Sequence, residues 1–86
     1  MERAKVGEVF HYFGKIGVAA LRLTDGDLAV GDTVQIQGPT TNLTCTVESM
    51  QIDRTDVPRA TKGQEVGVRV TGQVRERDLV YKVTSA

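Results

Sequence analysis

The segment that most constrains the fold of this chain spans residues 23–38, LTDGDLAVGDTVQIQG. Two turn signals, Asp25-Gly26 and Gly31-Asp32, enclose a short apolar stretch, and alternating apolar residues resume after the second turn. Glycine permits the tight backbone that such reversals need. The pattern therefore predicts a strand, a two-step corner and a second strand. It indicates an architecture and no particular reaction.

The length of 86 residues corresponds to one domain, residues 1–86, and leaves no room for a second. A chain of this size buries only about 60–65% of its unfolded surface, so its stability margin is thin. Tryptophan is absent and the other aromatic residues are scarce. We therefore expect an aliphatic core of Val, Leu and Ile, which pack well on the pleated surface of a sheet.

Alternating apolar residues and turn punctuation predict six or seven short strands, and no stretch has a sustained helical period. The predicted strands cover residues 6–13, 16–24, 33–37, 43–52, 65–71 and 79–83. The alternation changes phase near Ser49, which predicts a bulge there. Pro58 excludes a central strand from the polar stretch 53–62. Because closure removes exposed sheet edges, we expect an all-β fold, a small closed antiparallel barrel of six or seven strands.

The same alternation predicts which side chains lie inside. We expect Leu28 and Val30 to plug one end of the barrel, with Gly31 reversing the backbone and Asp32 accepting hydrogen bonds from its own turn amides. Cys45 is in phase with its apolar neighbours and is expected to act as a small buried hydrophobic residue. The other residues that we expect inside are Leu43, Val47, Val66, Val68 and Val70.

Several short motifs follow one another in a fixed order along residues 6–83. They are Asp25-Gly26-x-Leu28-x-Val30-Gly31-Asp32-x-Val34-x-Ile36, then Val47 with Met50-x-Ile52, then Gly63-x-x-Val66-Gly67-x-x-Val70. In this order they resemble the second domain of the translational GTPases, the domain 2 barrel of elongation factor Tu. The chain also resembles small elongation-factor-like proteins of bacteria and the barrel appended to collagenase-like peptidases.

These resemblances imply two different functions. In elongation factors, this barrel helps to hold the aminoacylated end of tRNA or touches ribosomal RNA, so the first resemblance implies tRNA or ribosomal RNA as a partner. The chain lacks the G-x-x-x-x-G-K-[ST] phosphate loop and cannot bind GTP by that machinery. The peptidase resemblance implies instead a protein-interaction module that acts as a detached accessory domain of a peptidase-like enzyme, with a protein partner.

The charges favour the first of these functions. The net charge is zero, yet residues 54–86 carry seven Lys and Arg against four acids, whereas residues 1–53 carry four against seven. Guanidinium groups pair with phosphates and stack on bases, and Tyr12 and Phe13 would add a stacking face if exposed. The leading interpretation is a non-enzymatic module that contacts RNA or the ribosome. The alternative is an ordinary mixed surface. The candidate RNA-binding residues are Arg54, Arg59, Lys62, Arg75 and Arg77.

Residues that carry chemistry are sparse. His11 is the only histidine and Cys45 the only thiol, so no nucleophile has an oriented base, and we expect no catalytic residue. Asp25 and Asp27 are too few for a calcium loop and are better explained by turn formation, so we expect no metal and no cofactor. The single cysteine excludes an internal disulfide, and there is neither a long apolar run nor a signal-peptide core. These features predict a cytoplasmic protein without membrane contact.

Overall fold

The computed structural model describes residues 2–84, which contain ten β-strands and no helix. This confirms the prediction of an all-β fold. The strands are β1 (Glu2–Phe13), β2 (Val18–Leu23), β3 (Leu28–Ala29), β4 (Thr33–Gln37), β5 (Asn42–Thr46), β6 (Met50–Ile52), β7 (Thr55–Asp56), β8 (Arg59–Ala60), β9 (Glu65–Arg69) and β10 (Leu79–Thr84). Most bounds lie near the predicted ones because the turn-forming residues end the alternating stretches where expected.

Eight of the strands form one antiparallel sheet in the order β5-β4-β10-β1-β2-β9-β6-β7. The two short strands β3 and β8 pair separately as a small ribbon. The long strand β1 lies between β10 and β2 and changes register against both, once next to Gly7 and once at Phe10. These irregularities bend the strand and increase the local twist of the sheet.

The prediction of a closed barrel is wrong. Strands β5 and β7 lie at the two ends of the large sheet, and no strand pairing joins them within residues 2–84. The predicted long strand 43–52 is divided, because its first part pairs with β4 and its last part with β9. After β5, the Val47 amide donates to the Asp32 carbonyl (2.8 Å) and the Gly31 amide donates to the Val47 carbonyl (2.8 Å). The expected bulge near Ser49 is therefore a complete break. Beyond it, the chain continues as β6 at the other end of the sheet.

The core is aliphatic, as the composition predicts. Val47, Val66, Val68 and Val70 are buried, which confirms their predicted placement, while Leu43 is half-buried and packs against the core. The polar stretch 53–62 contributes two short strands, and Pro58 lies between them.

Cys45 is buried and in contact with this core, as predicted. Burial raises the pKa of the Cys45 thiol, a hydrogen bond with the backbone of Thr71 opposes this effect, and the charge of Glu48 adds to it. The thiol is therefore neutral near pH 7 and poorly suited to nucleophilic chemistry.

The two-step corner has the predicted backbone and only half of the predicted packing. Gly31 has a φ of 97°, and the Ala29 amide donates to Oδ2 of Asp32 over 2.9 Å. Leu28 is fully buried, but Val30 is 44% exposed, so the expectation that both residues plug the interior is wrong for Val30. The turn that ends at Gly31 directs the Val30 side chain to solvent while its amide donates to the Pro58 carbonyl.

Candidate functional site

The outer face of the large sheet carries an apolar region on β1 and β2, beside β9 and β6. Successive residues of a strand point to opposite faces of a sheet. Because Leu21 of β2 is completely buried in the core, Val18, Ala20 and Arg22 belong to the outer face. An outer face that carries Val and Ala on one strand differs from the usual polar face of an antiparallel sheet.

The strand register continues this region from apolar residues of β2 and β9 to the polar Gln51 of β6. Ala20 of β2 is paired with Gly67 of β9, and Gly67 is paired with Gln51 of β6. One row further along, Arg22 is paired with Glu65. The Ala20–Gly67 pair therefore forms an apolar floor, and the Arg22–Glu65 pair forms a charged margin beside it.

This floor belongs to a groove of about 400 Å³. An adjoining depression shares part of the same lining and extends the groove to Ser49 and Arg69. The rim on the other side is formed by the β6–β7 turn with Asp53 and Arg54. The apolar lining consists of Phe10, Phe13, Ile16, Val18, Ala20, Val66 and Gly67.

Two features of the sequence give the groove its shape. A Cβ atom at Gly67 would approach Cγ1 of Val18 to 3.3 Å, so glycine keeps the floor low at this point. In the β1–β2 turn, the amides of Ile16 and Gly17 both donate to the Phe13 carbonyl, over 3.2 and 2.9 Å. This turn holds the Phe13 and Ile16 side chains at the mouth of the groove, where they are 46% and 60% exposed.

The charged margin is partly neutralised. Arg22 is paired with Glu65, with 2.9 Å between Nη2 and Oε2, and its guanidinium carbon lies 5.3 Å from the centre of the Phe10 ring. Arg54 and Arg69 form no ion pair with any side chain that the structure describes, and neither does Asp53. Among the charged residues that line the groove and its adjoining depression, those without an ion-pair partner are therefore two cations and one acid.

The five cations predicted to bind RNA lie at three separate places. Arg54 lines the groove. Nη2 of Arg59 lies 3.2 Å from Oδ2 of Asp27, and the Lys62 amide donates to Oδ1 of the same carboxylate over 3.2 Å. The other two, Arg75 and Arg77, line a shallow depression beside Pro39 and Thr40. The structure thus does not bring the five together as one basic surface.

The segment that holds Arg75 and Arg77 is tied to the body of the sheet. The Arg77 amide donates to the Val9 carbonyl (2.7 Å), and the Val9 amide donates to the Asp78 carbonyl (2.8 Å). Asp78 is buried, and its carboxylate accepts a hydrogen bond from the Arg75 amide (2.8 Å). These contacts give Asp78 a structural role in the turn.

Within residues 2–84, no group of three or more His, Cys, Asp or Glu side chains is arranged to hold a metal ion. His11 is exposed, with its Nδ1 atom 3.5 Å from Oε1 of Glu76 and its ring at the edge of Phe13. No helix suited to crossing a membrane occurs in this part of the chain.

The sequence is similar to segments of two peptidase-named proteins, and no protein-family model matches it. It is 35% identical over 82 residues to a collagenase of Porphyromonas gingivalis, covering 94% of this chain and 23% of the collagenase. It is 42% identical over 80 residues to an uncharacterized protease of Methanocaldococcus jannaschii, covering 92% of this chain and 19% of the protease. The chain therefore spans about a fifth of the length of the curated relatives it matches.

The solved structures agree on the fold. The C-terminal domain of a putative U32 peptidase of Geobacillus thermoleovorans superimposes with a TM-score of 0.84 and 22% identity, covering 92% of this chain and 91% of that domain. This chain has the fold of a U32 peptidase C-terminal domain. The selenomethionine variant of the same domain gives a TM-score of 0.83, covering 90% of this chain and 96% of that one.

These similarities correct the interpretation of the chain as a translation-factor-like, RNA-binding module. The relatives that cover almost all of it are named as a collagenase and a protease, and the matching structure is a peptidase domain. The predicted resemblance to the domain appended to collagenase-like peptidases is supported. Contact with tRNA or ribosomal RNA is not tested by these similarities and stays a prediction.

Sequence reasoning missed the groove, although a signal for it was present. The stretch 16–21, IGVAAL, is apolar at every position, whereas a strand with one solvated face alternates. The continuous run indicates that both faces of β2 are apolar. The sequence predicts for Phe13 a role as a stacking face for bases, whereas the structure places it at the mouth of the groove.

Proposed function

We propose that this domain is a non-catalytic accessory module of a peptidase-like enzyme and that it contributes a polypeptide-binding surface. The observation that carries this proposal is the pattern of coverage: more than nine-tenths of the chain matches peptidase-named relatives, while it occupies only about a fifth of each. A segment of that size is an added domain beside a larger body.

Two features of the described residues support a binding role without catalysis. The thiol of Cys45 is buried with a raised pKa, and His11 contacts Glu76 and Phe13 on the surface, away from the thiol's core position. The apolar groove is the largest exposed concave surface described above, and exposed apolar patches with polar rims mark interaction sites.

A domain exchange tests the proposal. In the Porphyromonas gingivalis collagenase, the matched 82-residue segment would be deleted or replaced by this chain, and gelatin hydrolysis would be measured. We expect the deletion to raise KM and the replacement to restore it, because the domain contributes substrate binding and not chemistry. The isolated chain is expected to hydrolyse no gelatin.

An unrelated β-domain of similar size, inserted at the same place, is the control for a mere spacer effect. Circular dichroism and a melting curve establish that each exchanged enzyme is folded. Two outcomes contradict the proposal: gelatin hydrolysis by the isolated chain, or full activity of a folded deletion variant.

A further inference from the structure

We propose that the groove binds an apolar polypeptide segment flanked by acidic residues. This inference rests on the proposed accessory function and specifies the partner of that surface. The partner is defined by three properties of the groove: its exposed apolar mouth, its low floor and the sign of its free charges.

The apolar mouth is exposed and held in place. Ile16 and Phe13 are 60% and 46% exposed, and with Val30 they are the large hydrophobic side chains that the structure leaves most open to solvent. Phe13 is the last residue of β1, and Ile16 lies in the hydrogen-bonded turn that joins β1 to β2. Neither residue belongs to a long loop. A surface ordered before binding loses little conformational entropy when a partner covers it.

The low floor provides room for partner side chains. Ala20 and Gly67 both line the groove and are directly paired across β2 and β9, so a methyl group stands next to a residue without a side chain. Val18 and Phe10 also line the groove. Leu, Val or Phe side chains of a partner would contact this lining and displace water from apolar surface.

The free charges specify the flanks of the partner. Glu65 is neutralised by Arg22, whereas Arg54 on one rim and Arg69 at the far end have no ion-pair partner among the described side chains. Asp53 is the one free acid at the groove. Acidic residues on both sides of an apolar segment complement this arrangement, and lysines oppose it.

A second copy of this chain fits the same surface less well. A two-fold interface sets the same patch of one copy against itself. Arg54 and Arg69 of both copies would then enter one interface that contains a single free acid from each. Like charges brought together in this way disfavour association.

Fluorescence anisotropy with synthetic peptides tests the inference. Three labelled peptides share one Leu-Val-Phe-Leu core and differ in their flanks, which are Asp-Glu, Asn-Gln or Lys-Lys. We expect the acidic peptide to bind at least about tenfold more tightly than the lysine peptide. Ile16→Ser should weaken the binding of the acidic and neutral peptides alike, since it removes apolar surface and leaves the charges unchanged.

Charge reversal is the more specific part of this test. The double variant Arg54→Glu with Arg69→Glu should reverse the order of the acidic and lysine peptides. Arg77→Glu is the matched control, because Arg77 is exposed and has positive φ like Arg54 (73° against 64°) but lies outside the groove. Val30→Ser is the corresponding control for Ile16→Ser, since Val30 is a 44% exposed apolar residue elsewhere.

Several results would overturn the inference. One is an order of peptide affinities that the double reversal leaves unchanged in a folded variant. Another is binding that Ile16→Ser does not affect. Self-association that Ile16→Ser abolishes would assign the groove to a second copy instead. If the peptides do not discriminate while the exchanged collagenase is active, the accessory function stands and only this partner is wrong.

Discussion

Gly7→Ala should unfold this domain or strongly lower its melting temperature. A Cβ atom at Gly7 would overlap the backbone carbonyl of Arg22, and a backbone atom in a sheet cannot move aside as a side chain can. The two strands are held close here, because the Thr24 and Asp25 amides both donate to the Val6 carbonyl, over 3.0 and 3.1 Å. We expect a loss of about 3 kcal/mol or more.

Each lost kcal/mol lowers Tm by about 4–8 °C in a domain of this size. Thermal unfolding followed by circular dichroism should therefore show a fall of at least about 12 °C, or no folded baseline. Gly14→Ala is the matched control, because its added Cβ would meet only a Tyr12 side-chain atom at 3.4 Å. Equal melting temperatures for the two variants would show that the β1–β2 approach is wrong.

Leu28→Ala should cost about 3 kcal/mol in the free energy of unfolding. Leu28 is completely buried and packs into the main core from the short β3–β8 ribbon, so truncation leaves a cavity there. A loss of this size is a large share of the stability of a small domain. Chemical denaturation with an unchanged m-value is the measurement.

Val30→Ala provides the comparison, two residues further along the same corner. Val30 is 44% exposed, so its truncation should change the free energy of unfolding by less than about 0.5 kcal/mol. The two variants separate the observed corner from the arrangement that the alternation predicts, in which both side chains point inward. Similar losses at Leu28 and Val30 would support that arrangement and contradict the structure.

Much of the fold follows from local signals in the sequence. Strand β4 is predicted to the residue, because the Gly31-Asp32 turn begins it and its alternation is unbroken. The carboxylate of Asp32 caps the corner as its residue type predicts, and the valines of β9 point inward. In each case, neighbours within a few residues determine the conformation.

The errors arise where contacts between residues that are distant in the sequence determine the structure. The stretch 43–52 has the pattern of one strand, but its first part pairs with β4 at one end of the large sheet and its last part pairs with β9 near the other end. No local pattern reveals this pairing, and with it the expectation of closure fails. The ion pair between Arg59 and Asp27 likewise joins residues that are distant in the sequence.

The groove could not be predicted because the sequence does not show which face of the sheet an apolar side chain occupies. Val18 and Ala20 resemble core residues in the sequence, and only the register of β2 against β1 and β9 assigns them to the outer face. Gly67 likewise indicates that another group approaches the backbone closely, but the sequence does not show which group it is. A binding surface built from ordinary sheet residues becomes visible only when neighbouring strands are placed.

The most direct test of a docking role for this face is a ¹⁵N NMR titration of the whole chain with the acid-flanked peptide. The account predicts that the amide resonances of Ile16, Val18 and Gly67 shift progressively and saturate, while those of Val30 and Arg77 stay in place. Shifts confined to the region of Val30 and Arg77, or no shift at peptide concentrations that saturate anisotropy, would contradict it.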